Sequence, residues 1–176
     1  TGFTDVKPHN HEGDDYYIIT LQSSALLCDP TGMDETSGRE KLFAAYKMIW
    51  DGFSDSSPEL FRFFATQSLA VGNYLHNRFK PGESYYPWLL TDAGSTFVMK
   101  VTNSEIASEK VASWLKNGLP LPDWAVERYK RNIEGKTIPG DHWKCCTYIP
   151  ENGYGEIAVN IDLNDFPAVT KEGDDE

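Results

Sequence analysis

Between Pro150 and Ile161 the chain reads Pro-Glu-Asn-Gly-Tyr-Gly-Glu-Ile-Ala-Val-Asn-Ile, a glycine turn that feeds a strand. Gly153 and Gly155 flank a single aromatic, Tyr154, so the backbone can take positive φ and lie close to a bulky partner. From Ile157 onward a β-branched residue recurs at every second position, the period of a half-buried strand. Such a turn presents backbone N–H groups and one aromatic face at the mouth of a sheet, where a phosphate or a base can be gripped. The simpler alternative is a hairpin loop whose glycines serve geometry alone.

A chain of 176 residues, 40% of them hydrophobic and 13% aromatic, is large and apolar enough for one domain with a real core. No apolar run approaches the roughly 20 residues of a membrane helix, and the start does not read as a signal peptide. A first residue of Thr1 instead of Met fits a processed product or a piece of a longer protein. The net charge of −11 argues against a protein that coats nucleic acid by charge alone. Acids crowd the two ends (Asp5, Glu12, Asp14, Asp15; Glu172, Asp174, Asp175, Glu176), whereas Arg128, Lys130, Arg131, Lys136 and Lys144 form a basic run. We divide the chain into a flexible lead or insertion over 1–15, a domain over 16–166 and an acidic tail over 167–176. Three cysteines, two of them adjacent, make a poor disulfide framework and point to a reducing, cytoplasmic setting.

Tyr16 to Leu27 opens as a strand, and Cys28 to Gly32 as a turn. Leu42, Phe43, Tyr46, Ile49 and Trp50 share one helical face, predicting a helix over 39–50 that Thr36 or Ser37 caps and Asp51-Gly52 closes. Leu60 to Val71 fits a strand or a helix; its Phe and Thr content favours the strand, with Gly72-Asn73 ending it. Leu75 to Ser84 reads as an exposed loop, and Thr96 to Thr102 is the clearest strand of the chain. Ser104 is the candidate cap of a second helix that ends at Asn117-Gly118. Pro122 or Asp123 opens a short helix through Tyr129, a polar loop follows to Gly140, and the last strand ends near Leu163. The order strand, helix, strand, strand, helix, strand predicts an α+β, ferredoxin-like (RRM-like) split βαβ domain. Its helices pack on one sheet face and leave the other free, the face where related folds bind RNA.

Three stretches carry a family likeness: Ala65 to Phe79 (ATQSLAVGNYLHNRF), Ala93 to Val101 (AGSTFVMKV) and Gly153 to Ile157 (GYGEI). Together they resemble the RAMP superfamily, the repeat-associated proteins of CRISPR effector complexes. Members share a Gly-Ser-x-Phe lead into a strand and a late Gly-Phe/Tyr-Gly loop on ferredoxin-like domains. The likeness covers about half of the chain and is nearest to the backbone subunits of type III effectors, including domains of the long single-chain type III-E forms. It implies a domain that helps cradle guide RNA, or the guide–target duplex, beside other subunits of a ribonucleoprotein for antiviral defence. By position, Asn152, Gly153, Tyr154 and Gly155 would approach RNA backbone, and Arg78 and Lys80 would contact phosphates. The chain departs from the family in being more acidic than a typical guide-binding subunit and in having only two glycines in its late loop.

Two further chemistries stay open. His142, Cys145 and Cys146 offer three potential zinc ligands, which Cys28, His9 or His11 would have to complete; zinc sites occur in some type III backbone domains. Adjacent cysteines rarely chelate one ion together, so the reading includes no cofactor. His76, with Arg78 and Lys80 nearby, and His142 are candidates for metal-independent RNA cleavage, as in the RNA-processing members of the superfamily. Asp29, Asp34, Asp55 and Asp92 are loop acids of the type other members use on target RNA, and nothing separates them. The sequence thus carries three functions forward: RNA-binding scaffold, endoribonuclease, and acidic protein-interaction module without RNA contact.

Overall fold

The computed structural model describes residues 6–29, 38–70, 88–131, 146 and 148–161. It is an α+β architecture in which two long helices cover one face of an antiparallel sheet. The strands are β1 (His9–His11), β2 (Asp14–Leu21), β3 (Glu59–Phe64), β4 (Gln67–Ala70), β5 (Trp88–Thr91), β6 (Thr96–Lys100) and β7 (Ile157–Val159). Among the described residues the helices are α1 (Arg39–Ser54), α2 (Ser104–Asn117) and α3 (Asp123–Arg131), with a 3-10 turn at Pro150–Asn152.

Strand β2 is central. One edge pairs along its length with β6, Tyr17 opposite Met99 and Ile19 opposite Phe97. The other edge is shared: β1 pairs with its first half, Tyr16 opposite His9, and β7 with its second half, Leu21 opposite Ile157. Strand β3 completes the sheet beyond β6. Across the sheet the order is therefore β7, β2, β6, β3, with β1 in line with β7. Strands β4 and β5 form a separate two-stranded ribbon, which Ala25 joins by hydrogen bonds in both directions with Thr91.

The period-two pattern of β2 sends Tyr17, Ile19 and Leu21 to the helix side, where they meet Phe97 and Met99 of β6 and Leu60 and Phe63 of β3. Tyr46, Ile49, Trp50 and Phe53 of α1 and Ala107, Val111 and Trp114 of α2 close this core. Trp50 is its hub, with ring centroids 5.1 Å from Phe97, 5.5 Å from Trp114 and 5.9 Å from Phe53. Each such fully buried large side chain contributes about 1.5–3 kcal/mol relative to exposure. A smaller cluster gathers Leu26, Leu90, Ala125, Cys146 and Ile149 at the ribbon end, with Trp88 and Trp124 packed partly against it.

Several local expectations are corrected. Residues 9–15, assigned to a flexible lead or insertion, form a hairpin on the sheet; Glu12 and Gly13 take positive φ (53° and 88°), the geometry of a two-residue hairpin turn. Helix α1 does not close at Asp51-Gly52 but runs to Ser54, because Phe53 still has core to bury; Asp55 ends it in the left-handed region. Gly38 occupies its N-cap. Helix α2 is capped by Asn103, one residue before Ser104; its side chain accepts from the N–H groups of Glu105 and Ile106. Of the Leu60–Val71 stretch, the described part to Ala70 is strand, as favoured, but breaks at Ala65-Thr66 into β3 and β4; Val71 and the expected Gly72-Asn73 end lie outside the described residues.

Candidate nucleic-acid interface

The glycine loop is built from the inside. Gly153 (φ 81°) ends the 3-10 turn, and its N–H donates to the Pro150 carbonyl at 2.8 Å. The N–H groups of Asn152 and Tyr154 donate to Ile149, at 3.0 and 3.2 Å. That of Gly155 reaches the Ser24 carbonyl at 3.0 Å, and that of Glu156 reaches Ser23 Oγ at 2.9 Å. Every backbone N–H from Asn152 to Glu156 is thus committed within the fold. The expectation that this turn presents free donors to a phosphate is corrected, because the loop must satisfy its own backbone against the β2 exit. Gly155 (φ 74°) also lies against the α2 exit: its carbonyl accepts from Leu119 N–H at 2.9 Å, and a Cβ there would sit 3.4 Å from Leu119.

Tyr154 is half-buried, edge-on to Tyr148 at 5.2 Å, and Trp88 lies 6.2 Å beyond Tyr148. Burial, with Tyr154 and Cys146 beside it, pushes the Tyr148 hydroxyl above its ordinary pKa. Beside the loop an open groove of about 330 Å³ is bordered by Lys116 and Glu156, charges of opposite sign that give no clear field for an anion.

The sheet face away from α1 and α2 is different in kind. Its rows run Tyr16–Lys100–Glu59, Ile18–Val98–Arg62 and Thr20–Thr96–Phe64 across β2, β6 and β3. The β3 ladder slips between Leu60 and Arg62, so Phe61 is an extra residue in the strand. The bulge lets two successive side chains, Phe61 and Arg62, reach the exposed face while Leu60 and Phe63 stay buried. Phe61 packs on Tyr16 with ring centroids 5.4 Å apart, and the Arg62 guanidinium lies 5.7 Å over the Phe61 ring. Phe61 is 51% exposed and Phe64 60%, so these rings are held at the surface without being sunk into the core.

Charge on the face is unevenly spread. Lys100 Nζ is 2.6 Å from Asp14 Oδ2; the hydrogen bond from Lys100 holds the Asp14 carboxyl below the usual carboxylate range and raises the Lys100 ammonium in turn. Glu59 stands at the same end of the face. In the other two rows Arg62 is the sole charged side chain. Thr20 and Thr96 hydroxyls lie 3.2 Å apart beside it.

Of the residues singled out from sequence, Asn152, Gly153, Tyr154, Gly155 and Cys146 are described; His76, Arg78, Lys80, His142 and Cys145 lie outside the described residues. Cys146 is buried among Leu26, Leu90, Ala125 and Ile149, an apolar setting. Among the described residues no three His, Cys, Asp or Glu side chains come together as a metal site. Of the loop acids, Asp55 pairs with Lys110 at 2.6 Å and Asp92 accepts from Ser68 Oγ at 2.6 Å, while Asp34 lies outside the described residues. Sequence reasoning passed over Tyr16, Phe61, Arg62 and Phe64. The alternation in β2 already turns Tyr16 outward, whereas the bulge that frees Phe61 leaves no local mark. No helix among the described residues is long and apolar enough to cross a membrane. Comparison with protein-family models, curated proteins and solved structures gives no match.

Proposed function

We propose that this chain is an RNA-binding and scaffolding domain of ferredoxin-like fold, working within a type III CRISPR ribonucleoprotein beside guide RNA, target RNA and neighbouring subunits. The observation that carries the proposal is the strand order β7, β2, β6, β3 with α1 and α2 on one face. Taking β2, α1, β3, β6, α2 and β7 as the six elements of a split βαβ pair, the fourth strand lies beside the first and the third lies between first and second. Among the described residues that arrangement leaves one broad face uncovered, and here the face bears exposed aromatic rings and a guanidinium. The Gly-Ser-x-Phe lead at Gly94–Phe97 fits as well: it enters β6, the strand between β2 and β3.

The test is binding of labelled single-stranded RNA across a salt series. A domain of this kind binds with an affinity that falls as salt rises, with a shallow slope because few cations take part. Absence of RNA affinity at every salt concentration would instead favour an acidic module that docks a basic protein.

A further inference from the structure

We infer that the uncovered sheet face is a site for unpaired nucleobases, with Tyr16 and Phe61 as the stacking platform and Arg62 as the phosphate contact. This rests on the RNA-binding proposal above and names what that face reads: single strands, through their bases, in preference to duplex.

Three observations converge. The first is the bulge. Placing Phe61 and Arg62 on the same side of β3 interrupts the ladder to β6, and the result is a ring more than half exposed with a guanidinium above it. The second is the pairing of Phe61 with Tyr16 across the β6 strand. Their rings tilt by 56°, so an incoming base can lie on the free side of either ring without separating them. The third is charge. Although the chain carries −11, the Ile18–Val98–Arg62 and Thr20–Thr96–Phe64 rows carry only a cation, while the carboxylates Asp14 and Glu59 stand at the Tyr16 end, where Lys100 pairs with Asp14. From Phe61 toward Phe64 an anionic strand meets Arg62 and the Thr20 and Thr96 hydroxyls; at the Tyr16 end the nearby Asp14 carboxylate is paired with Lys100 at 2.6 Å. Stacked flat rings joined by phosphates match this surface. In a duplex the bases are stacked on one another and turned inward, so the rings would have nothing to receive.

The experiment uses the full chain and three probes: an oligoadenylate of about ten nucleotides, the matching RNA duplex, and an abasic ribose-phosphate oligomer of the same length. The expected result is tightest binding to the oligoadenylate, with duplex and abasic oligomer at least about tenfold weaker. Tyr16→Ala/Phe61→Ala together should lower oligoadenylate affinity by about tenfold or more and leave the circular dichroism spectrum unchanged. Phe61→Trp should preserve binding, and Arg62→Gln should reduce the salt slope by about one ion. Equal binding of the abasic oligomer, or full affinity in the double variant, overturns this site while RNA binding elsewhere on the chain stands. Failure of the wild-type chain to bind any of the three probes overturns both proposals. Self-association in sedimentation that the double variant abolishes would assign the face to a second copy and overturn the inference.

Discussion

Asn160 and Ile18 are joined twice: the Ile18 N–H donates to Asn160 Oδ1 at 2.8 Å, and the Asn160 N–H donates to the Ile18 carbonyl at 2.8 Å. Asn160 sits at φ 52° just past the end of β7, and its Nδ2 donates to the Lys7 carbonyl at 2.6 Å. One carboxamide therefore bridges the gap between β7 and β1 and lets two three-residue strands serve as a single edge for β2. Asn160→Ala should cost about 1–2 kcal/mol, from the two lost hydrogen bonds and from a left-handed φ that asparagine tolerates better than alanine, read as a lower urea midpoint. Asn160→Asp keeps the acceptor and loses the donor, so it should fall between wild type and Asn160→Ala. A midpoint unchanged in the alanine variant would mean that water replaces the bridge.

The close approach of the α2 exit to the glycine loop should be intolerant of a methyl group. Gly118 has φ 76°, and a Cβ there would lie 3.0 Å from Pro150 Cβ; Gly155 has φ 74° and faces Leu119. Alanine at either position should destabilise by about 1–3 kcal/mol. Gly52 lies inside α1 with open space around it, so Gly52→Ala should stabilise by about 0.5–1 kcal/mol. Thermal melts of the three variants give opposite signs if these placements hold.

The start of α2 discriminates between adjacent residues. Asn103→Ala should cost about 1 kcal/mol, since its side chain serves two otherwise unpaired N–H groups. Ser104→Ala should cost no more than a few tenths. Chemical denaturation of the pair measures the difference, and equal costs would contradict the cap.

Alkaline pH should weaken the fold through a buried cluster. Burial pushes the Cys28 thiol from 9.0 up to about 12, only partly opposed by its hydrogen bond with Tyr46. Burial, and then the neighbouring Cys28, also raises the Tyr46 hydroxyl, which is 3.0 Å from both Thr91 Oγ1 and Gln67 Nε2. The unfolded chain releases the thiol proton near pH 9 and the folded chain only near 12. The stabilisation is therefore complete below pH 9 and is lost as pH rises through that interval. Urea midpoints should decline from about pH 9 upward, and Cys28→Ala should flatten the first part of the decline. At pH 8 a thiol reagent should reach Cys28 only on unfolding.

Local period and turn chemistry, present in the residues alone, specified the helical stripe of α1, the β6 strand, the Asn117-Gly118 stop of α2 and the outward turn of Tyr16. Each depends on neighbours within a turn or two of chain, where side-chain spacing is the deciding physics. The fate of the Asn152–Glu156 donors, the Asn160 bridge and the exposure of Phe61 depend on partners far away: Ser23 and Ser24, Ile18 and Lys7, and the β6 ladder. A backbone N–H pairs with whatever carbonyl the finished fold brings to it, and a bulge exists only relative to the strand it slips against. Only the assembled sheet could move the candidate surface from the glycine loop to the open face.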